Sequence, residues 1–258
     1  MIRTALAAAG VMLAFASPAL AQVEARASYV LTLGGINVAL MDVDLTDDGR
    51  RYGLDLSANV TGLGSVVASG TAKASASGSS AGGALVADEF SLETRANGET
   101  FTVDVGYANR NVSSFQVEPP VLDSWDRVPL ERAHLTGVND FISSFVIKGG
   151  ALDRSICQQR AAIFTGVERF NIQMSYLDMA EATSPRTGYQ GPLVACAVKY
   201  QPISGHFETS EITSYLADTS RIIVWYAPLG QTGYYVPYRV MLGTSMGDLS
   251  MVLVGMRS

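Results

Sequence analysis

The feature that most constrains the fold of this chain is an alternation of apolar and polar residues with a period of two. It runs through Tyr29–Leu33, Tyr52–Val60 and Phe170–Tyr176, among other segments. Successive side chains of a β-strand point to opposite faces, so this period is typical of strands with one buried face. Asn97-Gly98 separates two such runs, and Asn-Gly is the strongest short-range signal for a β-hairpin. The sequence therefore predicts antiparallel strands joined by hairpins.

The alternating runs fall into two groups, which predict two meanders. We expect the first meander over 27–118, a crossing with a helix over 119–156, and the second meander over 157–256. Asn139 or Asp140 is expected to cap one short helix near 139–148, closed by Gly149-Gly150. Strand and helix patterns do not alternate as they do in a parallel sheet. The predicted fold is all-β and mainly antiparallel, a strongly curved sheet or open barrel in a single β domain over 22–258.

Residues 1–21 have the three parts of a secretory signal peptide. A basic start at Arg3 is followed by the apolar run Ala5–Ala16 and by an Ala-x-Ala that ends at Ala21. The run is shorter than the roughly 20 apolar residues that span a bilayer. We expect cleavage between Ala21 and Gln22, export to the periplasm, and no integral membrane span.

The chain has two cysteines, Cys157 and Cys196. In an oxidising compartment such a pair forms a disulfide more often than it stays free. A redox motif or a metal pair is disfavoured, because the sequence has no Cys-x-x-Cys and no nearby histidine ligands. Closing this loop is expected to stabilise the fold by roughly 3 to 4 kcal/mol.

The charges exclude several classes of function. The chain has 18 basic and 24 acidic residues, a net charge of −6, without the basic stripe that nucleic-acid binding needs. With 2 histidines and 2 cysteines, neither a metal centre nor a cofactor is expected. No nucleophile stands at an interpretable spacing from a base, so we expect no catalytic residues and no enzyme activity.

Several segments resemble landmarks of family 3108 of the domains of unknown function, in its disulfide-bearing variant from Gram-negative bacteria. The resemblance covers nearly all of 22–258, and its landmarks are short. They are Ala27–Ile36, Thr61–Leu63, Val138–Phe145, Cys157 with Ile163–Phe170, Gly191–His206, Ile222–Trp225, Val236–Arg239 and Thr244–Gly247.

The resemblance implies an exported β protein of unestablished activity, and it supplies no catalytic residues. One departure stands out. Related sequences usually have Phe-Asp-Gly where this chain has Phe164-Thr165-Gly166. The resemblance therefore carries no acidic side chain over to that turn.

Two functional hypotheses remain. In the first, the chain is a non-catalytic periplasmic carrier whose curved sheet holds an apolar ligand such as a lipid, since a sheet that is apolar on both faces must cover its second face. Six aromatic residues are the candidates for the lining, although aromatic residues mostly pack ordinary cores: Phe90, Phe101, Tyr107, Phe170, Tyr176 and Trp225. In the second, it is a structural or assembly factor of the cell envelope that acts through contacts with a protein partner.

Overall fold

The fold is seen in a computed structural model, which describes residues 22–61, 69–122, 124–219, 221–244 and 247–258. Its strands are β1 (Val23–Leu33), β2 (Ile36–Asp47), β3 (Arg51–Val60), β4 (Gly70–Ser79), β5 (Val86–Ala96), β6 (Glu99–Ala108), β7 (Asn111–Glu118), β8 (Ile147–Lys148), β9 (Arg160–Phe164), β10 (Arg169–Ala182), β11 (Gly191–Ser204), β12 (Ile222–Pro228), β13 (Tyr234–Leu242) and β14 (Leu249–Arg257). One α-helix, α1 (Glu211–Asp218), lies between β11 and β12.

Tight turns connect the strands of the first meander. Asn97 and Gly98 join β5 to β6 with φ angles of 52° and 90°, as the Asn-Gly signal predicts. Gly34 and Gly35 join β1 to β2 with φ angles of 56° and 83°. Positive φ at both central residues gives these turns a twist that matches the flanking strands, so each hairpin register is set locally.

All 14 strands belong to one antiparallel sheet. Thirteen follow the order β7-β6-β5-β4-β3-β2-β1-β14-β13-β12-β11-β10-β9, and β8 pairs with β13. The two meanders therefore meet where β1 pairs with β14, from Arg26 opposite Arg257 to Leu33 opposite Leu249. The predicted all-β, antiparallel class is confirmed, and the sheet is not closed.

The sheet curls until its two edges approach each other. β7 and β9 lie at opposite ends of the strand order, yet the rings of Phe115 and Phe164 are 5.3 Å apart. On the neighbouring strand β6, the Tyr107 hydroxyl donates to the carbonyl oxygen of Phe164 at 2.8 Å. Side chains, rather than a ladder of backbone hydrogen bonds, hold these two ends together.

The segment between β7 and β9 packs against the sheet and joins its parts. Val138, Ile142 and Val146 belong to the larger of two hydrophobic cores, and Ile147 and Ile156 belong to the smaller. The Asn139 side chain accepts from Ala87 N and donates to Leu85 O, while its backbone forms a parallel bridge to Ile163 of β9. Asn139 thus links the start of β5 to the edge strand β9.

The structure has a short helix, but its position differs from the prediction. The segment near 139–148 contains a 3-10 turn, Ser143–Phe145, whose N-cap is Ile142, and the Asp140 carboxylate accepts from Ser143 N at 2.9 Å. The α-helix among the described residues is instead α1, where Ser210 accepts from Thr213 N as the N-cap. The prediction of a helix capped by Asn139 or Asp140 is therefore wrong.

Some predictions fall outside the described residues. They are the signal peptide over 1–21 with Ala21 at its cleavage site, and the family landmarks at Gly62, Leu63, Ser245 and Met246. Gln22 is described and is exposed immediately before β1.

Candidate functional site

The candidate site is an apolar strip on the inner face of the first meander and β14. Its members are half-buried, pack against the larger core and come from strands that are neighbours in the sheet. They are Leu31 (β1), Met41 and Val43 (β2), Leu56 (β3), Leu92 (β5), Phe101 (β6) and Met251 (β14), and we refer to them as the inner strip.

Register places the members of the inner strip on one face. Leu31 lies opposite Met251, and Val43 lies opposite Leu56. On β4, Ala74 lies between Leu56 and Leu92, and Ala72 lies opposite Ala58. The small side chains of β4 leave the larger ones beside them partly uncovered, so the strip is an apolar surface that is still accessible.

The opposite face of the same strands is polar. A row of cross-strand neighbours on β3 to β6 consists of Asp55, Ser75, Ser91 and Asp104. The hydroxyls of Ser75 and Ser91 are 2.8 Å apart, and these four residues contribute to an open recess of about 710 Å³. Strands β3 to β6 therefore have one polar face and one apolar face, as alternating strands require.

The six predicted aromatic residues do not form one site. Phe90 and Tyr107 are buried in the larger core, and Phe101 and Trp225 pack against it half-buried. Phe170 belongs to the smaller core, and Tyr176 is exposed on β10. Only Phe101 lies in the inner strip, which is otherwise aliphatic. The signal that identifies the strip is therefore the strand register, not aromatic content.

Cys157 and Cys196 form the predicted disulfide. Their Sγ atoms are 2.00 Å apart and their Cα atoms 5.3 Å apart, inside the smaller core. Cys157 ends the 3-10 turn Arg154–Cys157, and Cys196 lies in the middle of β11. The bond therefore fixes the segment that precedes β9 onto the sheet.

A buried charged cluster closes the end of β2. Asp47 is 3% exposed, and its carboxylate accepts from Lys148 Nζ at 2.7 Å and from the Tyr234 hydroxyl at 2.6 Å. The Ser80 hydroxyl and Gly49 N donate to its other oxygen. Burial alone would raise the pKa of Asp47, but the bonds from Lys148, Ser80, Tyr234 and Gly49 outweigh it and lower the pKa to about 2. This cluster ties β2, β8 and β13 together.

A second buried carboxylate, Asp140, has no cationic partner among the residues that the structure describes. One oxygen accepts from Ser143 N, and the other, Oδ2, has no hydrogen-bond partner among the described residues. Burial raises the pKa of Asp140. The Ser143 hydroxyl is 2.7 Å from the Tyr52 hydroxyl, so the Asp140 turn is also tied to β3.

Neither a metal site nor a membrane-spanning helix is present in the part of the chain that the structure describes. The described acidic, histidine and cysteine side chains do not form a cluster of three or more that could hold a metal ion. Among the same residues, no helix has the length and apolar content that crossing a membrane requires. Comparison of the chain with family models, curated proteins and solved structures gave no match.

Proposed function

We propose that the protein is a non-catalytic carrier that binds the acyl chain of a lipid on its inner strip. The observation that carries this proposal is the contiguous, half-buried apolar surface formed by seven residues on six strands of a curled sheet. Covering apolar surface is favourable by roughly 25 cal/mol per Å², so an acyl chain laid along the strip would gain affinity from each partly exposed side chain. The landmarks of the chain resemble a family of exported proteins. An exported protein that acts in the periplasm would encounter lipids with acyl chains.

The proposal predicts which face of a single strand matters. Met41 and Leu40 are neighbours on β2, but Met41 lies in the inner strip, whereas Leu40 is on the other face and is 48% exposed. A lysine at position 41 places a charge where the acyl chain would lie, and burying an unpaired charge is costly. A lysine at position 40 points away from it.

The test is native mass spectrometry of the protein with a neutral lipid probe, monoacylglycerol, and a fluorescence titration with the apolar dye N-phenyl-1-naphthylamine. Met41→Lys and Leu92→Lys should abolish binding of both probes, and Leu40→Lys should bind them as the wild type does. Because a lysine in the strip could also unfold the chain, Met41→Trp is the second variant. It keeps the strip apolar, fills the space and should block the lipid while the urea midpoint is retained. Binding that survives in Met41→Trp and Met41→Lys alike would refute the carrier.

A second candidate function, an envelope assembly factor that binds a protein partner, is favoured by a different surface. Leu122, Trp125 and Ile212 are 80%, 90% and 73% exposed. Leu122 and Trp125 lie on a loop and Ile212 on α1. The loop is joined to the segment before α1, because Glu208 N donates to Asp126 O at 2.7 Å and Arg127 pairs with Phe207. Large exposed apolar side chains on a fixed surface are typical of interaction sites.

A photo-crosslinker at position 125 tests this second function. It should give one adduct of constant mass in cells, and the Ile212→Asp substitution should abolish that adduct. A ladder of adducts would exclude a specific partner.

A further inference from the structure

A recess of about 580 Å³ lies over the edge of the second meander, away from the inner strip. Its floor is built from β9, β10 and β11, its wall includes Arg110 of the turn between β6 and β7, and Ala217 of α1 also lines it. The volume is within the range of small-ligand sites.

Strand register aligns the polar side chains of the floor. Arg160 lies opposite Gln173, and Gln173 lies opposite Lys199, so the two cationic residues are two strands apart, about 10 Å between their Cα atoms. In the next row of the same face, Asn171 lies opposite Gln201, and Asn171 Nδ2 donates to Gln201 Oε1 at 3.2 Å. The residues within each row project from the same face of the sheet.

The recess is positive in a chain whose net charge is −6. Arg110, Arg160 and Lys199 line it, and no acidic residue is among the described residues that do so. The ion pairs among the described residues involve other cationic side chains, so these three have no anionic partner within the described fold. An adjoining recess shares Arg160 and Gln173 and adds Arg154. Cations that face one concave surface raise the local concentration of anions there.

The other groups in the recess suit a sugar. The amides of Asn171, Gln173 and Gln201 can both donate to and accept from hydroxyl groups. Tyr200 alternates with Lys199 and Gln201 on β11, so its ring lies on the opposite face of the sheet, 5.1 Å from the ring of Phe170. The amides are therefore the groups of the recess floor that can bind sugar hydroxyls.

We propose that this recess binds a phosphorylated saccharide, with Arg160, Lys199 and Arg110 holding phosphate and the amides of Asn171, Gln173 and Gln201 holding the sugar. Arginine and lysine supply charge-assisted hydrogen bonds to phosphate oxygens. The site is separate from the inner strip, and it stands whether or not the carrier function holds. The phosphorylated sugar can come from a lipid headgroup or from a free sugar phosphate, since both present the same chemistry.

The test compares the full-length protein purified under native conditions with two charge-matched double variants. Arg160→Gln with Lys199→Gln removes two charges from the recess. The control variant, Arg50→Gln with Lys73→Gln, removes two exposed charges from the first meander. Both of its substituted positions lie outside the recess. Calorimetric titrations use glucose 1-phosphate, inorganic phosphate and glucose, and a flotation assay uses vesicles of phosphatidylcholine with and without a phosphoinositide. Circular dichroism and the urea midpoint check the fold of each variant.

The wild type and the control are expected to bind glucose 1-phosphate more tightly than inorganic phosphate or glucose. The recess variant should lose about tenfold or more in affinity for glucose 1-phosphate at an unchanged urea midpoint. Binding of the phosphoinositide vesicles that follows the same pattern assigns the site to a lipid headgroup, and binding of the free sugar phosphate alone assigns it to a soluble ligand. Equal losses in both double variants, or no preference of the wild type for the sugar phosphate over inorganic phosphate, would overturn the proposal.

Discussion

Lys148 Nζ lies 2.7 Å from Asp47 Oδ2, a contact between residues 101 positions apart in the sequence. The Asp47 carboxyl is almost completely buried and the Lys148 side chain is 23% exposed. Lys148 also donates to Ser80 O at 3.0 Å, so one ammonium group connects β8 with β2 and with the residue that follows β4. The contact fixes the segment between the meanders to the end of β2 and to the residue that follows β4.

Replacing Asp47 with Asn should therefore destabilise the protein substantially. The substitution keeps the shape but leaves the ammonium of Lys148 without its counter-charge, and breaking a buried pair on one side costs about 3 kcal/mol or more. The measurement is urea unfolding followed by circular dichroism. Asp55→Asn is the control, because Asp55 is exposed on the polar face of β3. Equal effects of the two substitutions would contradict the role assigned to Asp47.

The same contact predicts how stability depends on pH. The pKa of Asp47 is about 2 in the folded protein against an ordinary value of 3.8, so its contribution is present above pH 3.8 and is lost as the pH falls towards 2. That shift corresponds to about 2 kcal/mol. The free-energy difference between wild type and Asp47→Asn should therefore shrink between pH 4 and pH 2, and a constant difference would argue against it.

Asp140 should show the opposite dependence. Burial raises its pKa, so the folded state keeps a proton that the unfolded state has lost above pH 3.8. Its effect on stability is most favourable below that pH and declines as the pH rises. Asp140→Asn cannot ionise and retains an oxygen for Ser143 N. Its stability relative to wild type should increase between pH 4 and pH 8 in urea titrations, and no change with pH would show that Asp140 ionises freely.

Gly166 is expected to tolerate no side chain. It has a φ of 89°, and a Cβ atom there would lie 2.2 Å from Val103 Cγ1 on β6. Gly98 has nearly the same φ, 90°, but a Cβ atom there meets nothing within 4 Å. Comparing Gly166→Ala with Gly98→Ala thus separates crowding from backbone strain. Thermal unfolding should show Gly166→Ala less stable than Gly98→Ala by about 1–3 kcal/mol, because the inserted methyl overpacks a buried contact. Similar losses would mean that the edges of the sheet separate easily.

Opening the disulfide should weaken the fold without changing its topology. A 39-residue separation corresponds to about 4 kcal/mol in the loop-entropy estimate. The double variant Cys157→Ser with Cys196→Ser should unfold at a lower urea concentration and give the same unfolding curve with or without dithiothreitol. The intact wild type should have a mass two hydrogens below its reduced form. Two thiols that react with iodoacetamide before reduction would exclude the bond.

The strands follow from local sequence rules and the disulfide from the presence of two cysteines, whereas the helix follows from neither. Alternation locates β3, and Asn97-Gly98 locates the β5–β6 hairpin, since both depend on neighbouring residues. In the segment near 139–148 the Asp140 carboxylate accepts from Ser143 N, but the side chains of Ile142 and Val146 enter the core and draw the backbone away from a helix. Helix α1 has Ser210 as its cap and Glu211 in its first turn, but its eight residues are too few for a clear period.

The candidate sites were predictable to different degrees. The inner strip follows from alternation together with register, because one face of each strand is apolar. The basic recess needed the pairing of β9, β10 and β11, which brings Arg160 and Lys199 into one row although 39 positions separate them. Sequence alone showed these cationic residues as scattered, because their alignment depends on the register of β10 with both of its neighbouring strands.

Strand β1 occupies the middle of the sheet, between β2 and β14, so the described strands that lie furthest apart in the sequence are neighbours in the sheet. Until residues 249–257 exist, β1 and β13 both present open edges, and open edges pair readily with other chains. A stop codon just before Leu249 would therefore not trim the rim of the sheet. It would divide the sheet at its centre and turn one folded chain into two halves that are each prone to aggregate.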